Sequence, residues 1–137
     1  MLQFVFNVKK IESKTRIVLS LLPILLYVLH DLLANLLQIF PNHAVSFGIS
    51  LPFIELFLLV FLVTMFYFLL KEFNWWIYLI FVGGLVNFCD RLFLGYVRDY
   101  FKMVFFYNNL ADLLIFVGVM LYIIENVYET SRNNLRR

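Results

Sequence analysis

The stretch WWIYLIFVGGLVNFCDRLF, residues 75–93, is apolar for most of its length, and its only charges, Asp90 and Arg91, fall close to its end. A hydrocarbon core of roughly 30 Å takes about 20 helical residues to cross, so the stretch predicts a transmembrane helix. Three more runs qualify: Ile17–Phe40, Pro52–Leu70 and Tyr107–Val127. Of the 137 residues 64% are hydrophobic and 15% charged, where a soluble domain has about 25% charged residues. The composition predicts an all-α integral membrane protein, a bundle of four transmembrane helices with no room for a soluble domain.

The chain divides into a lead of residues 1–16, a membrane domain of residues 17–127 and a basic tail of residues 128–137. In the lead Leu2, Phe4, Phe6 and Val8 alternate with polar positions ahead of Lys9, Lys10, Lys14 and Arg16, the pattern of an amphipathic segment lying on a membrane surface. The apolar run behind it is too long for a secretory signal and lacks a cleavage site of small residues. It is therefore expected to stay as the first helix. Most Lys and Arg residues fall before helix 1, between helices 2 and 3 and after helix 4, and only Arg91, Arg98 and Lys102 fall between helices 3 and 4. The positive-inside rule then puts both termini in the cytoplasm. Tyr96, Tyr100, Phe101, Phe105, Phe106 and Tyr107 suit an interfacial belt at the outer surface, as do Trp75 and Trp76 at the inner one.

Intramembrane acids are rare and normally face a bundle interior or a wet cavity. At 1.5 Å rise per residue, Asp90 stands about 22 Å above Trp75, Asp112 about 18 Å above Ile124 and Asp31 about 21 Å above Ile17. Three acids on three helices thus reach one level in the outer half of the bilayer. Gly83, Asn87 and Asp90 share one helix face, as do Asp31, Asn35 and Gln38, while Asn109 and Asp112 are i, i+3 neighbours. The stripes predict a polar pocket near the outer surface.

If Asp90 and Asp112 approach to about 5 Å, they repel by about 3 kcal/mol at an effective dielectric near 20. A single shared proton is the expected state. An aspartic peptide hydrolysis needs that state: the ionised carboxylate takes a proton from the attacking water, and the protonated one hydrogen-bonds the scissile carbonyl. Asn87 and Asn109 can orient the carboxyls, and Arg91 can hold a neighbouring carbonyl. His30 is expected beside Asp31, His43 on the outer loop, and Asp99 as a structural loop contact. Neither histidine lies in a metal-binding spacing, and the single Cys89 falls off the polar stripe. The basic residues do not form a nucleic-acid surface. Spacing and depth alone also admit a non-enzymatic bundle, with the acids as helix glue or as an ion path.

The segments GGLVNFCDRLFLGYVRDYF (83–101) and NNLADLLIFVG (108–118) resemble the N-x-x-D-R-x-x-x-G-x-V-x-D and F-N-x-A-D blocks of the lipoprotein signal peptidase (signal peptidase II) family. Asn87, Asp90, Arg91, Gly95, Val97 and Asp99 fit the first block. Asn109, Ala111 and Asp112 fit the second, with Asn108 in place of Phe. The resemblance implies Asp90 and Asp112 as the catalytic pair, surrounded by Asn87, Arg91 and Asn109. Upstream, Asp31 matches the family's first-helix Asp, although Asn35 replaces the usual Lys. Asn42 and Phe47 resemble an N-x-G-A-A-F loop in which Ala44 and Ser46 depart from the pattern.

Only ten residues separate Asp31 from Asn42, so the outer loop is shortened and most of the family's small β-sheet cradle is expected to be missing. The implied activity is cleavage of a prolipoprotein signal peptide before a diacylglyceryl-modified Cys. It implies a bacterial cytoplasmic membrane, an active site near the outer face, contact with membrane lipids and neither metal nor cofactor. A relative that cleaves another membrane substrate fits the same motifs.

Overall fold

The computed structural model describes residues 13–43, 53–103 and 105–135, with the side chains of the first helix from Leu19 onward. Four helices, α1 (Ser13–Leu36), α2 (Ile54–Lys71), α3 (Trp75–Leu94) and α4 (Leu110–Asn134), are long and apolar enough to cross a membrane. They agree with the four predicted runs, though α4 continues past the expected boundary at Val127. Most of the amphipathic lead, the loop residues Ala44, Ser46 and Phe47, and Arg136 and Arg137 lie outside the described residues.

Short strands lie at the end of the bundle where α1 and α3 stop and α4 starts. β1 (Phe40–Asn42) pairs antiparallel with β2 (Val97–Asp99), so that Phe40 faces Asp99 and Asn42 faces Val97. β3 (Phe101–Met103) forms a hairpin with β4 (Phe106–Asn108). The cradle expected to be mostly missing is thus reduced to two ladders of three residues each.

The helix ends are written in the sequence. Asn74 caps α3, its side chain accepting from the Trp76 and Ile77 backbone N–H groups at 2.8 and 3.1 Å. Gly95 ends α3 at φ 79°, in the left-handed region that glycine enters without strain, and its N–H returns to the Arg91 carbonyl. At α4, Asn109 and Asp112 form a reciprocal capping box.

Packing centres on α3. Leu69, Tyr78 and Val82 form the buried core, against which Leu19, Leu22 and Leu26 of α1 lean. α3 and α4 touch most closely through glycine: a Cβ on Gly83 would stand 2.6 Å from the Ala111 carbonyl oxygen, and one on Gly118 would stand 2.9 Å from that of Trp76. Small residues at both positions allow the backbones to meet. Elsewhere the apolar side chains point outward, with α2 burying only Leu62 and Leu69 among its described residues. An outward-facing apolar surface suits lipid as its solvent.

Pro23 sits inside α1. Proline has no N–H, so the Leu19 carbonyl lacks its i+4 donor. The Tyr78 hydroxyl of α3 donates to that oxygen, turning a helix defect into a cross-helix tie. Tyr78→Phe should lower stability by about 1 kcal/mol in detergent, and clearly less in a Pro23→Ala background, where the restored backbone N–H can reclaim the carbonyl. A thermal double-mutant cycle measures this; equal losses in both backgrounds would refute the tie.

Candidate active site

Hydrogen bonds sort Asp31, Asp90, Asp99 and Asp112, at the end of the bundle where α3 stops and α4 starts, into two groups. The first is built on Arg98 of β2. Its Nη2 lies 2.8 Å from Asp90 Oδ1, its Nε 3.1 and 3.2 Å from the two Asp90 oxygens, and its backbone N–H donates to Asp90 Oδ2 at 3.0 Å. Nη1 reaches Asp31 Oδ1 at 2.6 Å. The fully buried His30 of α1 completes the group, with Nε2 2.9 Å from Asp90 Oδ2. The paired carboxylates, Asp90 foremost, hold the Arg98 guanidinium even more firmly in its charged form than usual.

The second group is built on two asparagines. Asn87 of α3 donates to Asp112 Oδ1 at 2.7 Å, and its own oxygen accepts from Asn109 Nδ2 at 3.1 Å. Asn109 Nδ2 also donates to Asp99 Oδ1 at 2.9 Å, while its side-chain oxygen caps the Asp112 N–H at 3.0 Å. The chain runs from Asp99 through Asn109 and Asn87 to Asp112. From β1, Asn42 donates to Asp99 Oδ2 at 2.9 Å. Arg91, buried on α3, faces these acids closely enough to stabilise the charge on Asp99.

Spacing set Asp90 with Asp112, and the hydrogen bonds join Asp112 to Asp99 through Asn87 and Asn109. Asp90 is held by an arginine fork and a histidine, whereas Asn109 donates both to Asp99, through Nδ2, and to Asp112, through its backbone N–H. Helical depth could not show that β2 folds back and lays Arg98 across Asp90. Asp99 is accordingly more than a loop contact, and its partners Asn42 and Asn109 belong to the polar set read from the sequence. Asp31 joins the other group, half-exposed. Asn35 turns back onto Asp31, donating to its carbonyl at 2.9 Å and to Oδ2 at 3.2 Å, and is exposed like Gln38. Only the first residue of that stripe reaches the cluster. His30, expected beside Asp31, is instead part of the interior; its place after Leu19, Leu22 and Leu26 on one helix face was the available signal.

Asp99 is almost fully buried. Burial first, and then the negative charge of Asp112, push its carboxyl up to about 6, against the hydrogen bonds of Asn42 and Asn109 and the charge of Arg91. Two carboxyls bridged by neutral amides, with burial opposing ionisation, can share a proton.

A family model for signal peptidase (SPase) II matches residues 32–128. The chain belongs to the signal peptidase II family. Members of this family are aspartic peptidases and lipoprotein signal peptidases. Two solved structures share the fold, each titled as a bacterial membrane enzyme structure obtained by the in meso method. One, at 2.3 Å resolution, has a TM-score of 0.72 and 23% identity, over 84% of this chain and 90% of that one. The other, at 1.9 Å, has a TM-score of 0.62 and 23% identity, over 79% and 91%. No curated protein matches the chain significantly.

A carboxyl raised above its ordinary value of about 4 keeps its proton to higher pH. Infrared titration of the folded protein should show a protonated-carboxyl band lost with a midpoint near pH 6 and missing in Asp99→Asn. A band that disappears near pH 4 would contradict the burial and pairing of Asp99.

Proposed function

We propose that this protein is a membrane aspartic endopeptidase that removes the signal peptide of prolipoproteins before a diacylglyceryl-modified Cys, and that Asp99 and Asp112 are its reacting pair. Both termini lie in the cytoplasm in this reading, and the site opens near the outer face of a bacterial cytoplasmic membrane. The observation that carries the assignment is the Asp99–Asn109–Asn87–Asp112 chain of hydrogen bonds. Membership of the signal peptidase II family supports the reaction class.

The chemistry follows from the environments. One carboxyl of the pair carries the shared proton and donates it toward the scissile carbonyl oxygen, and burial keeps a proton on Asp99 up to about pH 6. The other, ionised, is the base that deprotonates the attacking water; Asp112 accepts from Asn87 Nδ2 at 2.7 Å and the Asn109 backbone N–H at 3.3 Å, and Asp99 accepts from Asn42 and Asn109. The water oxygen bonds to the carbonyl carbon and a tetrahedral diol forms. On collapse the C–N bond breaks and the leaving amine takes a proton from the pair. Asn87 and Asn109 orient both carboxyls, Asn42 fixes Asp99, and Arg91 offsets the charge.

Asp90 and Asp31 hold the fold in this account. A substrate with two acyl chains can reach the site sideways from the outer leaflet, where β3–β4 carries exposed Met103, Phe105 and Phe106. Such a substrate suits a site at the lipid boundary.

Cleavage of a diacylglyceryl-modified prolipoprotein peptide by the purified protein, beside three variants, tests the assignment. Asp99→Asn and Asp112→Asn should abolish cleavage with melting temperatures close to wild type. Asp90→Asn should instead lower stability by about 3 kcal/mol, because it leaves a buried guanidinium short of a counter-charge. Full cleavage by folded Asp99→Asn would overturn the pairing, and cleavage of only an unlipidated substrate would overturn the substrate class.

A further inference from the structure

The strand that carries Asp99 is gripped on its opposite side. Extended backbone turns successive side chains to opposite faces, so Arg98 and Tyr100 point one way and Asp99 the other. Arg98 is pinned to Asp90 and Asp31. The buried Tyr100 hydroxyl lies 3.1 Å from His30 Nδ1 and accepts the Leu110 backbone N–H at 3.1 Å. One assignment satisfies every group: His30 Nε2–H donates to Asp90, and Tyr100 O–H donates to His30 Nδ1. Leu110 N–H then donates to the Tyr100 oxygen.

The result is a continuous line from α3 through α1 to the start of α4: Asp90, His30, Tyr100, Leu110. Leu110 is the first residue of α4, two positions before Asp112. The Tyr100 backbone N–H adds a bond to the Asn108 carbonyl at 3.0 Å, closing the segment between the two reacting carboxyls.

We infer that Arg98, His30 and Tyr100 are positioning residues: they clamp both neighbours of Asp99 and the first turn of α4, and so set the approach of Asp99 to Asp112. None of the three needs to touch substrate. His30 joins the two halves, because its two ring nitrogens serve Asp90 on one side and Tyr100 on the other. If the clamp is released, β2 can draw back from Asn42 and Asn109, and Asp99 becomes better hydrated. A misplacement on the order of 1 Å at a reacting group can cost up to about a hundredfold in rate. The rate consequence rests on the peptidase reading above, whereas the placement of Asp99 does not.

Tyr100→Phe is the mildest test, since it keeps the ring and deletes only the hydroxyl that joins His30 to Leu110. Arg98→Lys is the second, keeping a charge but losing the fork. Both should lower kcat by about tenfold or more with KM within about twofold. In both, the infrared midpoint of Asp99 should move down toward the ordinary carboxylate range. Wild-type kcat and an unmoved Asp99 midpoint in both folded variants would overturn the clamp. So would a lowered melting temperature with an unmoved midpoint, because that reports a structural role alone. If wild type itself fails to cleave the lipidated peptide, the peptidase reading falls, and the Asp99 midpoint in Tyr100→Phe still decides the clamp by the same criterion.

Discussion

The end of the bundle where α3 stops and α4 starts depends on one guanidinium. Arg98 brings a positive charge to a level where α1 and α3 each present a carboxylate, and its planar fork meets Asp90 with two nitrogens while a third reaches Asp31. A lone carboxylate at that depth is costly, and taking one partner from a buried ion pair costs about 3–5 kcal/mol. β2 therefore has to fold back over the helix ends, and in doing so it turns Asp99 toward Asn109. The ion cluster and the candidate site are opposite faces of one short strand.

Division of labour among the acids follows from their donors. An arginine fork, an imidazole and a backbone N–H hold Asp90, and they spend its hydrogen-bonding capacity. Amide donors hold and orient Asp99 and Asp112, and in the proposed mechanism these two share a proton. The two Asn residues account for the repeated spacing of an Asn three residues before an Asp. Asn109 caps its own helix through Asp112, whereas Asn87 reaches across to Asp112 and leaves the neighbouring Asp90 to Arg98.

Much of this is legible in the sequence, and the misreadings share one cause. Length and hydropathy locate α1, α2, α3 and α4, and the cap residues Asn74, Gly95 and Asn109 mark their ends. Helical periodicity finds Asn87, Asp90 and Asp112 because those residues sit on regular helices or at their caps. It says nothing about residues 96–109, where the chain leaves the helix and a three-residue strand decides which side chain faces the site. Periodicity therefore picks out Asp90 and leaves Asp99 as a loop contact. His30 is hidden for a related reason: its partners Asp90 and Tyr100 are 60 and 70 residues away, and no local pattern announces a contact of that range.

The most direct test of the account is an experimental structure of the protein bound to a lipidated peptide whose scissile carbonyl is replaced by a hydroxyl-bearing tetrahedral centre. That hydroxyl should lie within hydrogen-bonding distance of both Asp99 and Asp112, with Asp90 still held by Arg98 and His30. A hydroxyl resting on Asp90 instead, with Arg98 displaced from it, would contradict the division of the four acids on which the account stands.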